Sequence, residues 1–114
     1  MSRSPITTHV LDTALGRPAQ GVAVELEAQR DGAWQPLARG RTDADGRCSN
    51  LLEPGSLESG IYRIHFALDD YFRASGRQSF YPEASIVFRV GDPAEHYHVP
   101  LLLAPFGFST YRGS

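Results

Sequence analysis

The chain has no lysine, and all eleven of its basic residues are arginine. Against thirteen acidic residues they leave a formal net charge of −2, and they are scattered rather than gathered into a stripe. A chain that follows a phosphate backbone needs such a stripe, so nucleic acid is not an expected partner. Cysteine is almost as scarce. Cys48 is the single one, so no disulfide can close within the chain, and a reducing compartment is compatible. No apolar stretch approaches the ~20 residues of a membrane-spanning helix. The opening MSRSPITTHV lacks the apolar run of a signal peptide. A soluble, cytoplasmic protein without membrane contact is the expectation. Also missing are a G-x-S-x-G elbow, a glycine-rich phosphate loop and any H-x₃-H or C-x₂-C metal spacing. No cofactor and no metal are expected.

What is present reads as one domain over residues 1–114. Apolar residues at 41% and charged residues at 21% fit a globular chain. Eleven glycines and eight prolines fall between short alternating runs, the punctuation of a β protein. ITTHVLDT is the first run. In GVAVELEAQ, Val22, Val24, Leu26 and Ala28 share one face and the polar residues share the other. RDG at Arg30–Gly32 predicts a hairpin turn into AWQPLARGRT, whose Pro36 suggests a sheet edge. TDADGRCSN reads as a loop. IYRIHFAL places Tyr62, Ile64, Phe66 and Leu68 inward, and SIVFRV does the same with Ile86, Phe88 and Val90. DDYFRASG is the one helical stretch, with Asp69 or Asp70 as its cap and Gly76 at its end. EHYHVPLLLA and FGFSTYR close the chain around a tight turn at Pro105. The fold class predicted is an all-β, two-sheet antiparallel sandwich of about seven or eight strands with one short helix.

Period two also sorts the histidines. Thr7, His9 and Leu11 face away from Ile6, Thr8 and Val10; His96, His98, Pro100 and Leu102 face away from Tyr97, Val99, Leu101 and Leu103. Leucines on outward faces predict that another copy of the chain covers them. Two readings of His9 and His98 remain open: interface histidines satisfied by backbone, or a pair meeting in a shared groove. His65 and His96 read as structural or solvated. Asp43–Gly46 looks like a calcium loop only at first sight. The positions that would have to ligate are Arg41 and Leu52, so a turn is the better reading. Cys48 reads as a small buried apolar group, with nothing nearby to make its thiol reactive. The last four residues, YRGS, put a ring, a guanidinium, a glycine and a hydroxyl where chains usually fray.

ITTHVLDTALGRPAQGVAVEL, TDADGR, FYPEASIVFRV and HYHVPLLLAPFGFSTYRGS together resemble the transthyretin-related family. The terminal YRGS resembles the branch that hydrolyses 5-hydroxyisourate. The resemblance implies ring opening of that oxidised purine by water during urate breakdown, giving 2-oxo-4-hydroxy-4-carboxy-5-ureidoimidazoline. It implies a homotetramer, a dimer of dimers, with sites in the channel between the dimers. It assigns catalysis to His9, Arg47, His98 and Ser114, and substrate binding to His9, Arg47, Tyr111, Arg112 and Gly113. Gly113 would let the backbone turn in. The competing reading on the same fold is a carrier that binds small aromatic ligands without turning them over.

Overall fold

A computed structural model describes residues 4–114; the first three residues of the opening segment lie outside it. Among the described residues, nine strands and one helix follow in chain order. They are β1 (Ile6–Asp12), β2 (Arg17–Pro18), β3 (Ala23–Arg30), β4 (Ala33–Arg41), β5 (Arg47–Cys48), β6 (Gly60–Ala67), α1 (Asp69–Ala74), β7 (Glu83–Val90), β8 (Tyr97–Ala104) and β9 (Gly107–Thr110). One sheet runs β2-β1-β8-β9, with β5 also bound to β1, and the other runs β4-β3-β6-β7. Among the described residues no helix is long and apolar enough to cross a membrane.

The alternation read from sequence is the alternation found. Val22, Val24, Leu26 and Ala28 are buried, as are Tyr62, Ile64, Phe66 and Leu68. Ile6, Val10, Leu101 and Leu103 answer them from the other sheet. Each Val, Leu, Ile or Phe side chain among them, fully buried, contributes about 1.5–3 kcal/mol. The β3–β4 hairpin turns at Asp31 and Gly32, both left-handed at φ 53° and 77°, the geometry of a type I′ turn. Pro36 lies on edge strand β4, at the register shift beside Leu26 and Glu27, where its missing N–H breaks no inner ladder.

Three expectations need correction. The sandwich is not wholly antiparallel, because β1 and β8 run parallel from Ile6 opposite Tyr97 to Asp12 opposite Leu103. A hairpin fixes the direction of neighbouring strands, but nothing local fixes that of two strands from opposite ends of the chain. Secondly, part of TDADGRCSN is strand, since Arg47 and Cys48 pair with His9 and Thr8. Thirdly, neither Asp69 nor Asp70 caps the helix. Leu68 takes that position without a side-chain cap, because the inward alternation of β6 carries it into the core with no exposure. The two aspartates lie instead in the first turn, where the helix dipole favours them.

The far end of β1 is fastened by Asp12. Its carboxylate is fully buried. Oδ2 accepts from the Tyr71 hydroxyl and from Arg77 Nη2, each at 2.7 Å, and Oδ1 accepts from the amides of Ala14 and Leu15. Burial pushes this carboxyl up. The hydrogen bonds from Arg77, Tyr71 and Leu15, together with the Arg77 charge, outweigh burial and hold it below its ordinary 3.8.

Candidate active site

The Asp43–Gly46 turn builds the first wall. Asp43 Oδ1 accepts from the amides of Asp45 and Arg47 at 2.9 and 3.0 Å, an Asx-type turn. Gly46 sits at φ 75°, and a Cβ there would lie 2.4 Å from the Val10 carbonyl. Only glycine lets the turn press against β1. The result is β5, which sets Arg47 directly opposite His9. On the other side of β1, Thr7 pairs with His98 and His9 with Pro100. The rings of His9 and His98 then stand with centroids 6.5 Å apart.

The tail supplies the third wall, and it is ordered. The Gly113 amide donates to the His98 carbonyl at 2.8 Å, and the Thr110 hydroxyl donates to the Pro100 carbonyl at 2.7 Å. A Cβ on Gly113 would lie 2.5 Å from His98 Cδ2 and 3.1 Å from Pro100 Cγ. Gly113 therefore serves close approach to the imidazole, a different reason from the backbone turn expected of it. Arg112 reaches back over β8: its Nη2 donates to Glu95 Oε1 at 2.9 Å, and its guanidinium lies 4.5 Å over the Tyr97 ring.

Arg47, His98 and Ser114 line one hollow of about 340 Å³, together with Thr7, Thr8, Ser49 and His96. His9 stands beside it, in register with Arg47 and next to His98. Tyr111 and Arg112 are not brought into it. They line a separate hollow of about 260 Å³ with Phe88, Tyr97 and Thr110, which His98 also borders. Tyr111 remains exposed.

His96, read as structural or solvated, is structural. Its ring stacks beside that of His98 at 6.2 Å, and its Nε2 lies 3.0 Å from Thr7 Oγ1. Sequence reasoning passed over Thr7, Ser49 and His96. Period two already placed Thr7 on the face of His9 and His96 on the face of His98, but the parallel β1–β8 register that brings those faces together was not legible. His65 fits its structural reading, with Nε2 at 2.6 Å from Glu83 Oε1 on the other sheet. Cys48 is buried, and burial pushes its thiol up. Among the described residues no group of His, Cys, Asp or Glu is arranged to hold a metal ion.

A two-sheet β-sandwich with imidazoles, a guanidinium and the YRGS tail gathered on one outer face is the class that fold and geometry define. The family model described as "HIUase/Transthyretin family" matches residues 6–113. The chain belongs to the HIUase/Transthyretin family. It is 48% identical to the 5-hydroxyisourate hydrolase of Caulobacter vibrioides, covering 97% of this chain and 99% of that one. It is 43% identical to the 5-hydroxyisourate hydrolase of Mus musculus, covering 97% and 96%. Among solved structures, transthyretin from Sparus aurata superposes with a TM-score of 0.91 at 34% identity, covering 97% of each chain. Sea bream transthyretin in complex with thyroxine superposes at 0.90, with 33% identity, covering 96% of this chain and 94% of that one.

Proposed function

We propose that this protein is an enzyme that opens 5-hydroxyisourate by hydrolysis of a ring C–N bond, and that His9, Arg47, His98 and Ser114 form its active site. The reading rests above all on one observation: the Arg47–His9 pair, the His98 ring and the last residue of the chain converge around a single hollow. A carrier of aromatic ligands is the disfavoured reading. A carrier would desolvate two imidazoles and a guanidinium in its binding site for no catalytic return.

The chemistry follows from those groups. One imidazole takes a proton from water, and the water oxygen bonds to the ring carbonyl carbon. Arg47 offers N–H donors to the oxyanion that forms. As the tetrahedral centre collapses, the C–N bond breaks and the leaving nitrogen receives a proton from an imidazole. Ser114 places its hydroxyl at the mouth. Gly113 binds by keeping the tail against His98, and Arg112 by tethering it to Glu95. Tyr111 binds from the neighbouring hollow, which His98 also borders. The chain assembles as a homotetramer, a dimer of dimers with the sites in the channel between them. Supporting this are the free edges of β7 and β9 and the exposed apolar side chains Val87, Phe106 and Phe108.

The direct test is the ultraviolet decay of freshly generated 5-hydroxyisourate with and without the protein. Decay no faster than in buffer would reject the enzyme reading. Light scattering on a sizing column tests the assembly, and a stable monomer would reject it.

A further inference from the structure

Thr7, only 4% exposed, sits between two imidazoles. Its Oγ1 lies 2.8 Å from His98 Nδ1 and 3.0 Å from His96 Nε2. The parallel register causes this: Thr7 pairs with His98 across the ladder, and His96 lies two residues earlier on the same face. The two histidine rings are nearly parallel, at 19°.

A hydroxyl carries one proton and accepts through its lone pairs. With both rings neutral, Thr7 donates to one imidazole and accepts from the other, so the two tautomers are linked. In one orientation His98 Nδ1–H donates to Thr7, and Thr7 donates to His96 Nε2. His98 then keeps an unprotonated Nε2 that can accept a proton. In the opposite orientation His98 Nε2 already carries a proton and cannot act as a base.

We propose that Thr7 and His96 form a proton relay behind His98, in the orientation that leaves His98 Nε2 as the base. This rests on the hydrolase reading given above. As His98 Nε2 takes a proton from water, its Nδ1 proton passes to Thr7 Oγ1 while the Thr7 proton passes to His96 Nε2. His98 ends neutral, Thr7 is unchanged and His96 carries the charge. The water's electron pair forms the new C–O bond. When the ring C–N bond breaks, His98 Nε2–H protonates the leaving nitrogen and the two inner protons shift back. Thr7 and His96 are thus positioning residues that act through His98. The relay spreads positive charge over two rings in a hollow that already holds the Arg47 guanidinium, with His9, Ser114 and the Arg112–Glu95 pair around it.

The test begins with the unmodified protein. In nitrogen-15 NMR of labelled histidine at neutral pH, His98 is expected to show a protonated Nδ1 and an unprotonated Nε2, and His96 an unprotonated Nε2. A protonated His98 Nε2 overturns the relay. This readout needs no turnover, so it stands apart from the hydrolase reading, which fails only if 5-hydroxyisourate decay is not accelerated. Thr7→Val keeps the shape and removes the hydroxyl. It is expected to lower kcat about 10²-fold and to mix the His98 tautomers, whereas Thr7→Ser retains most of the rate and the single tautomer. A Thr7→Val protein turning over at the unmodified rate also overturns the relay. If that variant does not fold, the spectrum of the unmodified protein and the Thr7→Ser rate decide.

Discussion

The two sheets are built by the same rule and finish their outer faces differently. On β4-β3-β6-β7 the outward charges pair off across strands: Glu27 with Arg63 at 2.8 Å, His65 with Glu83 at 2.6 Å, and Glu25 with Arg39 at 3.8 Å. Arg63 also lies 4.3 Å over the Trp34 ring. On the β1–β8 face the nitrogen groups of His9, Arg47, His96 and His98 gather around a hollow closed by the chain terminus. A surface that pairs its charges is at rest. One that collects basic and proton-exchanging groups in one place is suited to stabilising charge that develops elsewhere, in a substrate. Histidine illustrates the difference, since His65 on one sheet meets a carboxylate while His98 on the other meets a hydroxyl and two further rings.

That contrast can be broken at several points. The largest expected effect is on stability, at the end of β1 away from the hollow. Asp12→Ala leaves Arg77 and Tyr71 without their buried acceptor and is expected to cost about 3–5 kcal/mol in urea denaturation. A loss below about 1 kcal/mol would mean that the network behaves like a surface pair. Next comes Arg47→Ala, expected to remove about 2.7–4 kcal/mol of transition-state stabilisation, seen as a fall in kcat. Its melting temperature should stay close to that of the unmodified protein. If kcat survives, Arg47 is only a turn residue.

Glu27→Ala is the counterpart on the other sheet. It is expected to cost about 1.5 kcal/mol of stability and to leave turnover untouched. Any substantial loss of kcat would erase the distinction between the faces. Gly113→Ala pushes a methyl into the His98 ring and is expected to lower kcat/KM about tenfold, equivalent to 1.4 kcal/mol. An unchanged rate would show that the tail yields without consequence. The smallest effect belongs to Arg112→Ala, which breaks a half-exposed tether and is expected to cost at most about 1 kcal/mol, read chiefly as a raised KM.

Acid sharpens the comparison further. Hydrogen bonds from Arg63, with its charge, hold Glu27 below its ordinary 4.5, just as Asp12 is held below 3.8. Both groups have folded-state values below their unfolded ones. Each contribution is therefore complete above the unfolded value and is lost as pH falls through the folded one. Stability is expected to decline below pH 4.5 and more steeply below 3.8. Asp12→Asn should flatten the steeper part, and an unchanged acid profile would contradict its role.

Much of the fold was legible because burial on one face of a strand leaves a period of two, visible in β3, β6 and β8 without any contact information. The Asp31–Gly32 turn was legible because few residues tolerate left-handed backbone. The Asp69 or Asp70 cap failed because a core requirement at Leu68 overrode a local preference. Strand β5 was hidden because two residues carry no periodicity. Arg47 entered the sequence reading only through family resemblance; its place opposite His9 comes from a turn and a ladder.

By itself, the sequence determined which side of β3, β6 and β8 faces the core, since hydrophobic burial acts residue by residue and writes itself into the order of the chain. It also placed His9, Thr7, His96 and His98 on outward faces. Only the tertiary structure decided that those faces are one face. The direction and register of β1 against β8 depend on contacts between the two ends of the chain, and no local pattern encodes them. The same contacts bring Gly113 to the His98 ring, where the missing Cβ has its effect.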